Sequence, residues 1–168
     1  MQKTNWNDRK LTVGLPQGMF PFYVERLTGT GLRVNSKLKD ISDKVLSERL
    51  DGKWSIKENL AHLTELNEIA IIRIKEIING VSVMTPAHAE LKQDYNAQSI
   101  ELLLKSFIKS RSEAIVGFNN LDDAVLQRSS LHPRFKVPMT PVDLAWFYAE
   151  HDDHHLVRMN EIIAVLKN

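Results

Sequence analysis

Thr140-Pro141-Val142-Asp143-Leu144-Ala145-Trp146-Phe147-Tyr148-Ala149-Glu150-His151-Asp152-Asp153-His154-His155-Leu156 opens with the clearest helix-start signal in the chain. A threonine hydroxyl caps free backbone N–H groups, proline suits the first helical turn, and an acid at the third position favours the positive helix end. At about 100° per residue, Leu144, Tyr148, His151, His155, Met159, Ile162 and Leu166 fall within roughly 80° of one another. Two imidazoles one turn apart therefore interrupt an apolar stripe and aim at one point. His154 projects about 100° away from His155, toward Glu150 and Glu161, and reads as a rim or supporting residue.

Working upstream, Ser55-Ile56-Lys57-Glu58 is a capping box after the turn Asp51-Gly52-Lys53. The helix it starts runs through Leu60, Leu63, Leu66, Ala70, Ile74 and Ile77 and stops at Asn79-Gly80. His62 lies on the edge of its apolar face beside Leu66 and Ile69, with Asn59 and Glu58 one turn earlier. A further helix begins near Ser99, carries Leu102, Leu103, Phe107, Ile108, Ile115 and Phe118, and ends by Asn119-Asn120. Before all of these, a polar leader over residues 1–20 gives way to an imperfect helix from Phe22 to about Ile41, where Gly29 and Gly31 predict a bend or break.

Four long helices without an alternating strand predict an all-α chain, a four-helix bundle forming a single domain over residues 1–168. Long connections, Val81 to Ala97 and Leu121 to Met139, separate the second helix from the third and the third from the fourth, and allow a topology other than up-and-down. The later connection contains Leu131-His132-Pro133-Arg134-Phe135, whose proline argues against continued helix.

The 22 Lys and Arg against 21 Asp and Glu are spread along the 168 residues and leave a formal net charge of +1, so nothing asks for nucleic acid or an anionic membrane. Cysteine is absent, which excludes disulfides, zinc–thiolate sites and a protein-borne thiol nucleophile. Met1 to Lys10 lacks the apolar core of a signal peptide and no stretch approaches the ~18 apolar residues of a membrane span, so a soluble cytoplasmic protein is expected.

Histidines and carboxylates must then do any metal work. There is no Gly-rich phosphate loop, no Gly-x-Ser-x-Gly elbow and no His-Glu-x-x-His sequence. The Glu-x-x-His motifs of di-iron bundles are missing too; Asn59 and His62 keep that spacing with an amide in place of the carboxylate, which points to one metal rather than two. His62, His151 and His155 form the candidate metal set, a three-histidine site between two helices that leaves coordination positions open. The competing reading is a pair of hydrogen-bonded core histidines or a water-filled groove. His154, Asn59, Glu58, Trp54 and Tyr148 are the candidate supporting or pocket residues, while His88 and His132 read as loop residues, His132 within reach of the entrance. Trp54, Tyr95, Trp146, Phe147 and Tyr148 either wall a pocket or pack in core and interface.

Gly52-Lys53-Trp54-Ser55-Ile56-Lys57-Glu58-Asn59-Leu60-Ala61-His62-Leu63 resembles the second-helix signature of the DinB-like superfamily. His132-Pro133-Arg134-Phe135, followed by Met139-Thr140-Pro141 and Glu150-His151-Asp152-Asp153-His154-His155-Leu156, resembles its last connection and last helix. The match runs from about residue 20 to 165. It implies a DinB/YfiT-like four-helix bundle, a divalent ion such as nickel or zinc held by three histidines, and frequent homodimers; motif position carries the ligands onto His62, His151 and His155. Lys136 stands after Arg134-Phe135 where similar proteins often place glycine. Similar proteins include thiol S-transferases that use a low-molecular-weight thiol such as bacillithiol or mycothiol, amidase-like and isomerase enzymes, and members without assigned activity.

The expectation is a metal-dependent enzyme acting on a small molecule, a thiol S-transferase with an external thiol or a hydrolase. The alternative is a noncatalytic, stress-related metal-binding or interaction protein with a structural ion. A homodimer is expected from the resemblance and from Trp146 and Phe147, read as exposed aromatics flanking the last helix's core stripe. Solution scattering at working concentration should give about twice the chain mass of 19.2 kDa, and a monomeric mass would overturn this.

Overall fold

The capping box read at Ser55 forms, Thr140 and Asp143 form a second, and the two set where the site-bearing helices begin. In the computed structural model, which describes residues 3–88 and 90–167, the Ser55 hydroxyl accepts from the Glu58 N–H at 3.1 Å while the Glu58 carboxylate accepts from the Ser55 N–H at 2.8 Å. Thr140 and Asp143 repeat the exchange at 3.2 and 2.9 Å. Helix α4 thus spans Ile56–Ile78 and helix α7 Pro141–Leu166. The third long helix, α5, covers Ile100–Asn119 behind a Ser99 cap.

The first predicted helix is divided more finely than its apolar pattern suggests. It consists of α1 (Phe20–Thr28) and α2 (Thr30–Leu38), which meet at Gly29. Gly29 keeps right-handed helical angles, and helical hydrogen bonds continue through its N–H to Glu25 and through its carbonyl to Arg33, so the interruption is slight. The helix ends three residues before the expected Ile41, where Asp40 turns the chain with φ 61°. Short helices α3 (Asp43–Ser47) and α6 (Asp123–Leu126) and a two-stranded hairpin, β1 (Ser130–Leu131) with β2 (Pro138–Met139), fill the connections. Among the described residues, no helix is long and apolar enough to cross a membrane.

Helix α4 packs chiefly on α5 and α7, and α1 chiefly on α7 and α5. Around the bundle the order is therefore α1, α7, α4, α5. In an up-and-down bundle consecutive helices are neighbours; here the links from α2 to α4 and from α5 to α7 each cross the bundle diagonally. The long link between α4 and α5 joins neighbours and is used instead to line the site.

The core is two apolar clusters stacked along the bundle. One gathers Val24, Leu27, Ile74, Ile77, Phe118 and Leu144. The other gathers Val34, Leu38, Leu60, Leu63, Phe107 and Met159. The chain changes cluster across buried polar residues: Thr30 where α1 gives way to α2, Asn67 on α4, Ser110 and Arg111 on α5, His151, Asp152 and His155 on α7. Most of this belt is tied together by its own hydrogen bonds. Arg111 grips Asp152 through both terminal nitrogens at 2.8 and 2.9 Å, Thr30 donates to the same carboxylate at 2.7 Å, and Asn67 donates to Ser110 at 2.9 Å.

Removing one member of a buried ion pair strands the other charge, at a cost of about 3–5 kcal/mol. Asp152→Ala should lower the denaturation free energy by about that amount. The double variant Asp152→Leu, Arg111→Met should recover most of it, as read from urea midpoints.

Candidate metal centre

The rotation of α7 about its axis brings His151 and His155 to the same side, and α4 presents His62 opposite them. One nitrogen from each of these three rings lies within 4.8 Å of the other two. His151 and His155 are buried and His62 is half-buried. The Nε2 atoms of His151 and His155 are 3.2 Å apart. Two lone pairs repel at that distance unless a proton or cation lies between them; around a tetrahedral ion with bonds of about 2.0–2.1 Å, neighbouring ligand nitrogens are about 3.4 Å apart.

Asn59 decides which nitrogen of His155 is free. Its amide group donates to the carbonyls of Ser55 at 2.7 Å and Trp54 at 3.1 Å, which leaves its oxygen to accept from His155 Nδ1 at 2.6 Å. His155 Nδ1 therefore carries the proton and Nε2 presents its lone pair to the cluster. A ligand histidine oriented through its second nitrogen is the usual arrangement at metal sites. His151 Nδ1, by contrast, is buried without a hydrogen-bond partner among the described residues.

Burial is the main cause holding these rings neutral. It pushes His62 down to about 4, with His154 adding to the shift, and pushes His151 and His155 well below the ordinary histidine value, with neighbouring imidazoles contributing. Neutral imidazoles are the form that ligates a cation, so the donor set fits a single divalent ion.

A cavity of about 650 Å³ opens over the cluster. Trp54 forms one wall, its ring 4.7 Å from that of His62. Trp6 forms another, edge-on to His151 with ring centres 4.9 Å apart. His154 sits half-buried at the rim, 5.4 Å from Trp6 and 5.1 Å from His155 by ring centres, and its nitrogens do not join the converging three.

The remaining sequence candidates divide. Glu58 does not touch the histidines: it caps α4, pairs with Arg49, and borders a separate cavity on the other side of Trp54. Tyr148 is not a lining residue; its hydroxyl accepts from Arg73 Nη1 at 3.2 Å, behind the cavity wall. Tyr95 binds Glu65 at 2.6 Å away from the centre. Phe147, expected with Trp146 as an exposed interface aromatic, is buried at 8% exposure against Phe135, Trp6 and His151. The aromatic argument for a dimer loses that residue.

His132 lies in the loop expected of it and lines the cavity, but it is buried, which its place in a connection did not foretell. Its hairpin is closed by hydrogen bonds from the His132 N–H to Val137 and from the Lys136 N–H to His132, both 2.9 Å. Lys136 takes φ 57°, the left-handed conformation glycine adopts freely, so the hairpin survives the lysine at a cost of about 1–2 kcal/mol. Trp6 and Arg73 were missed. Trp6 was marked only by being an aromatic in a polar leader. Arg73 follows His62 by three helical turns on the same face, a phase visible in the sequence but hidden among isoleucines.

The profile of the DinB superfamily matches residues 26–158. Among solved structures, YfiT from Bacillus subtilis, described as a probable metal-dependent hydrolase with an unusual four-helix bundle topology, aligns with a TM-score of 0.82 at 18% identity, over 95% of this chain and 94% of that one. A mycothiol-dependent maleylpyruvate isomerase aligns with a TM-score of 0.69 at 13% identity, over 88% of this chain and 63% of that one. No curated protein matches significantly by sequence.

The geometry separates two adjacent residues. His155→Ala should abolish binding of added zinc or nickel in a competition titration, whereas His154→Ala should retain it. Asn59→Ala should weaken it by about 10–100-fold. Equal losses for the two histidine variants would place His154 among the ligands.

Proposed function

We propose, because this chain belongs to the DinB superfamily and gathers three neutral imidazoles beside a substrate-sized cavity, that it is a metal-dependent enzyme in which His62, His151 and His155 hold one divalent ion, zinc or nickel. The observation that carries the reading is the 3.2 Å approach of two Nε2 atoms whose tautomer on one side is fixed by Asn59. Three nitrogen ligands leave positions open, as catalytic sites do and closed structural sites do not. When bound, the ion would act as a Lewis acid and lower the pKa of a coordinated water or thiol.

The chain's own residues prepare the place for that chemistry. Asn59 keeps the His155 proton on the outer nitrogen. Trp54 and Trp6 flank the rings and restrict water at the cluster. His154, pushed down to about 4 by burial and by Arg9 and Lys3, is neutral at physiological pH and offers an acceptor nitrogen at the rim. With no cysteine in the chain, a transferase reaction must take its thiol from outside. The reaction class we propose is hydrolysis, which the name attached to YfiT supports, or transfer to a low-molecular-weight thiol, for which the mycothiol-dependent isomerase supports the use of such a thiol and not the transfer itself. We take the protein to work in the cytoplasm as a homodimer on a small-molecule substrate.

A second reading has one observation behind it: the three histidines join α4 to α7, so an ion there would also fasten the bundle. Purified protein should contain about one transition-metal ion per chain. Absence of metal, together with no thermal shift on adding zinc or nickel, would sink both readings. Turnover of electrophiles that needs ion and thiol marks a transferase, and turnover of esters or amides that needs the ion alone marks a hydrolase. Neither rising above a His151→Ala control would leave the fastening role.

A further inference from the structure

All six histidines of the chain line the cavity over the candidate centre, together with Arg73 and Arg134, and among the described residues no aspartate or glutamate does. Arg73 is 2% exposed. Its Nε donates to the Thr85 carbonyl at 3.0 Å, its Nη1 donates to the Tyr148 hydroxyl at 3.2 Å and lies 3.2 Å from His132 Nε2. Among the described residues, Nη2 has no hydrogen-bond partner and the guanidinium has no ion pair. The other fully buried cations are treated differently: Arg111 is clamped by Asp152, and Lys57 reaches Asp43 at 2.6 Å.

An uncompensated buried charge costs several kcal/mol, so a fold that keeps one at a cavity wall gains from an anion arriving there. We infer that Arg73 is an anchoring subsite for the carboxylate of an organic substrate whose reacting end lies at the histidines. This rests on the cavity being the substrate chamber of the function proposed above. Arg73 follows His62 on the same face of α4, about 16 Å further along the axis. Helical side chains lean toward the N-terminus, which shortens the span between the guanidinium and the centre. A molecule bridging them is elongated, with a carboxylate at one end. Leu66, Phe135 and Phe147 also line the cavity, so the body of that molecule is apolar or aromatic. The field is already positive: His132 is pushed down to about 4 by burial first and then by Arg73 and Arg134.

The probes are 4-phenylbutyrate and its neutral counterpart 4-phenylbutyramide, titrated by calorimetry into metal-loaded and metal-free protein. The carboxylate should bind at least about tenfold more tightly than the amide in both forms, a difference of about 1.4 kcal/mol. Arg73→Met should erase that preference. Arg73→Lys, which keeps the charge and loses the planar fork, should reduce it at least about threefold in a folded protein and serves if the methionine variant does not fold. Equal binding of acid and amide by the native protein overturns the inference, as does a preference unchanged in either variant. A preference that appears only on metal loading and survives in both variants places the carboxylate on the ion, overturning the inference while leaving the metal reading intact. An Arg73-dependent preference in a protein that takes up no metal does the reverse.

Discussion

The clamp of Arg111 on Asp152 is the contact on which the arrangement of this molecule depends. It lies between two apolar clusters, at the level where every long element turns polar. An ion pair so placed can form in one register only, because sliding α7 past α5 by a single turn would put the carboxylate into an apolar layer. Thr30 joins the same carboxylate and brings in α2, while Asp153, the next residue, takes Arg26 and Arg33 on the outside. Since successive residues of a helix point about 100° apart, fixing the direction of Asp152 fixes those of His151 and His155. The segment Glu150 to His155 therefore works as a compass: one residue points into the bundle's interior, two into the cavity, and three to the rim or the outer salt bridges.

What could be read from the sequence follows from which interactions are local. The capping boxes at Ser55 and Thr140 join residues three apart, so the start of α4 and of α7 was visible without knowing anything else. The 3.6-residue periodicity gave the long helices, and phase on α7 separated His155 from His154. Non-local facts were hidden. Nothing near Gly29 says that its helix ends at Leu38, because the stop comes from a left-handed Asp40 and from α3 packing on α4. His132 lies in a loop in sequence and structure alike, and only the fold shows that the hairpin carries that loop into the interior. Glu58 and Tyr148 share phase or proximity with the histidines, yet their polar atoms are committed to Arg49 and Arg73.

Asn59 shows how the departure from a two-metal pattern acquires a purpose. In the Glu-x-x-His motif of di-iron bundles the carboxylate is a ligand; here the amide cannot lend charge, but its two N–H groups lock it to the backbone at the helix start and turn its oxygen toward His155. The same capping turn that begins α4 thus sets the protonation of a ring on α7. Helix initiation and the chemistry of the centre are one construction.

The diagonal links also have a consequence in time. Helical bundles usually fold fast because each helix finds its partner next along the chain. Here α1 rests on α7, and the contact between Arg26 and Asp153 spans 127 residues. Loops of that length must close before α1 has a surface to rest on, and their entropy is lost before the contacts return it. The ribosome sharpens the effect: α1 and α4 are made before α7 and expose apolar faces until it joins them. A protein of nearly all-local secondary structure thereby acquires the folding order of a non-local one.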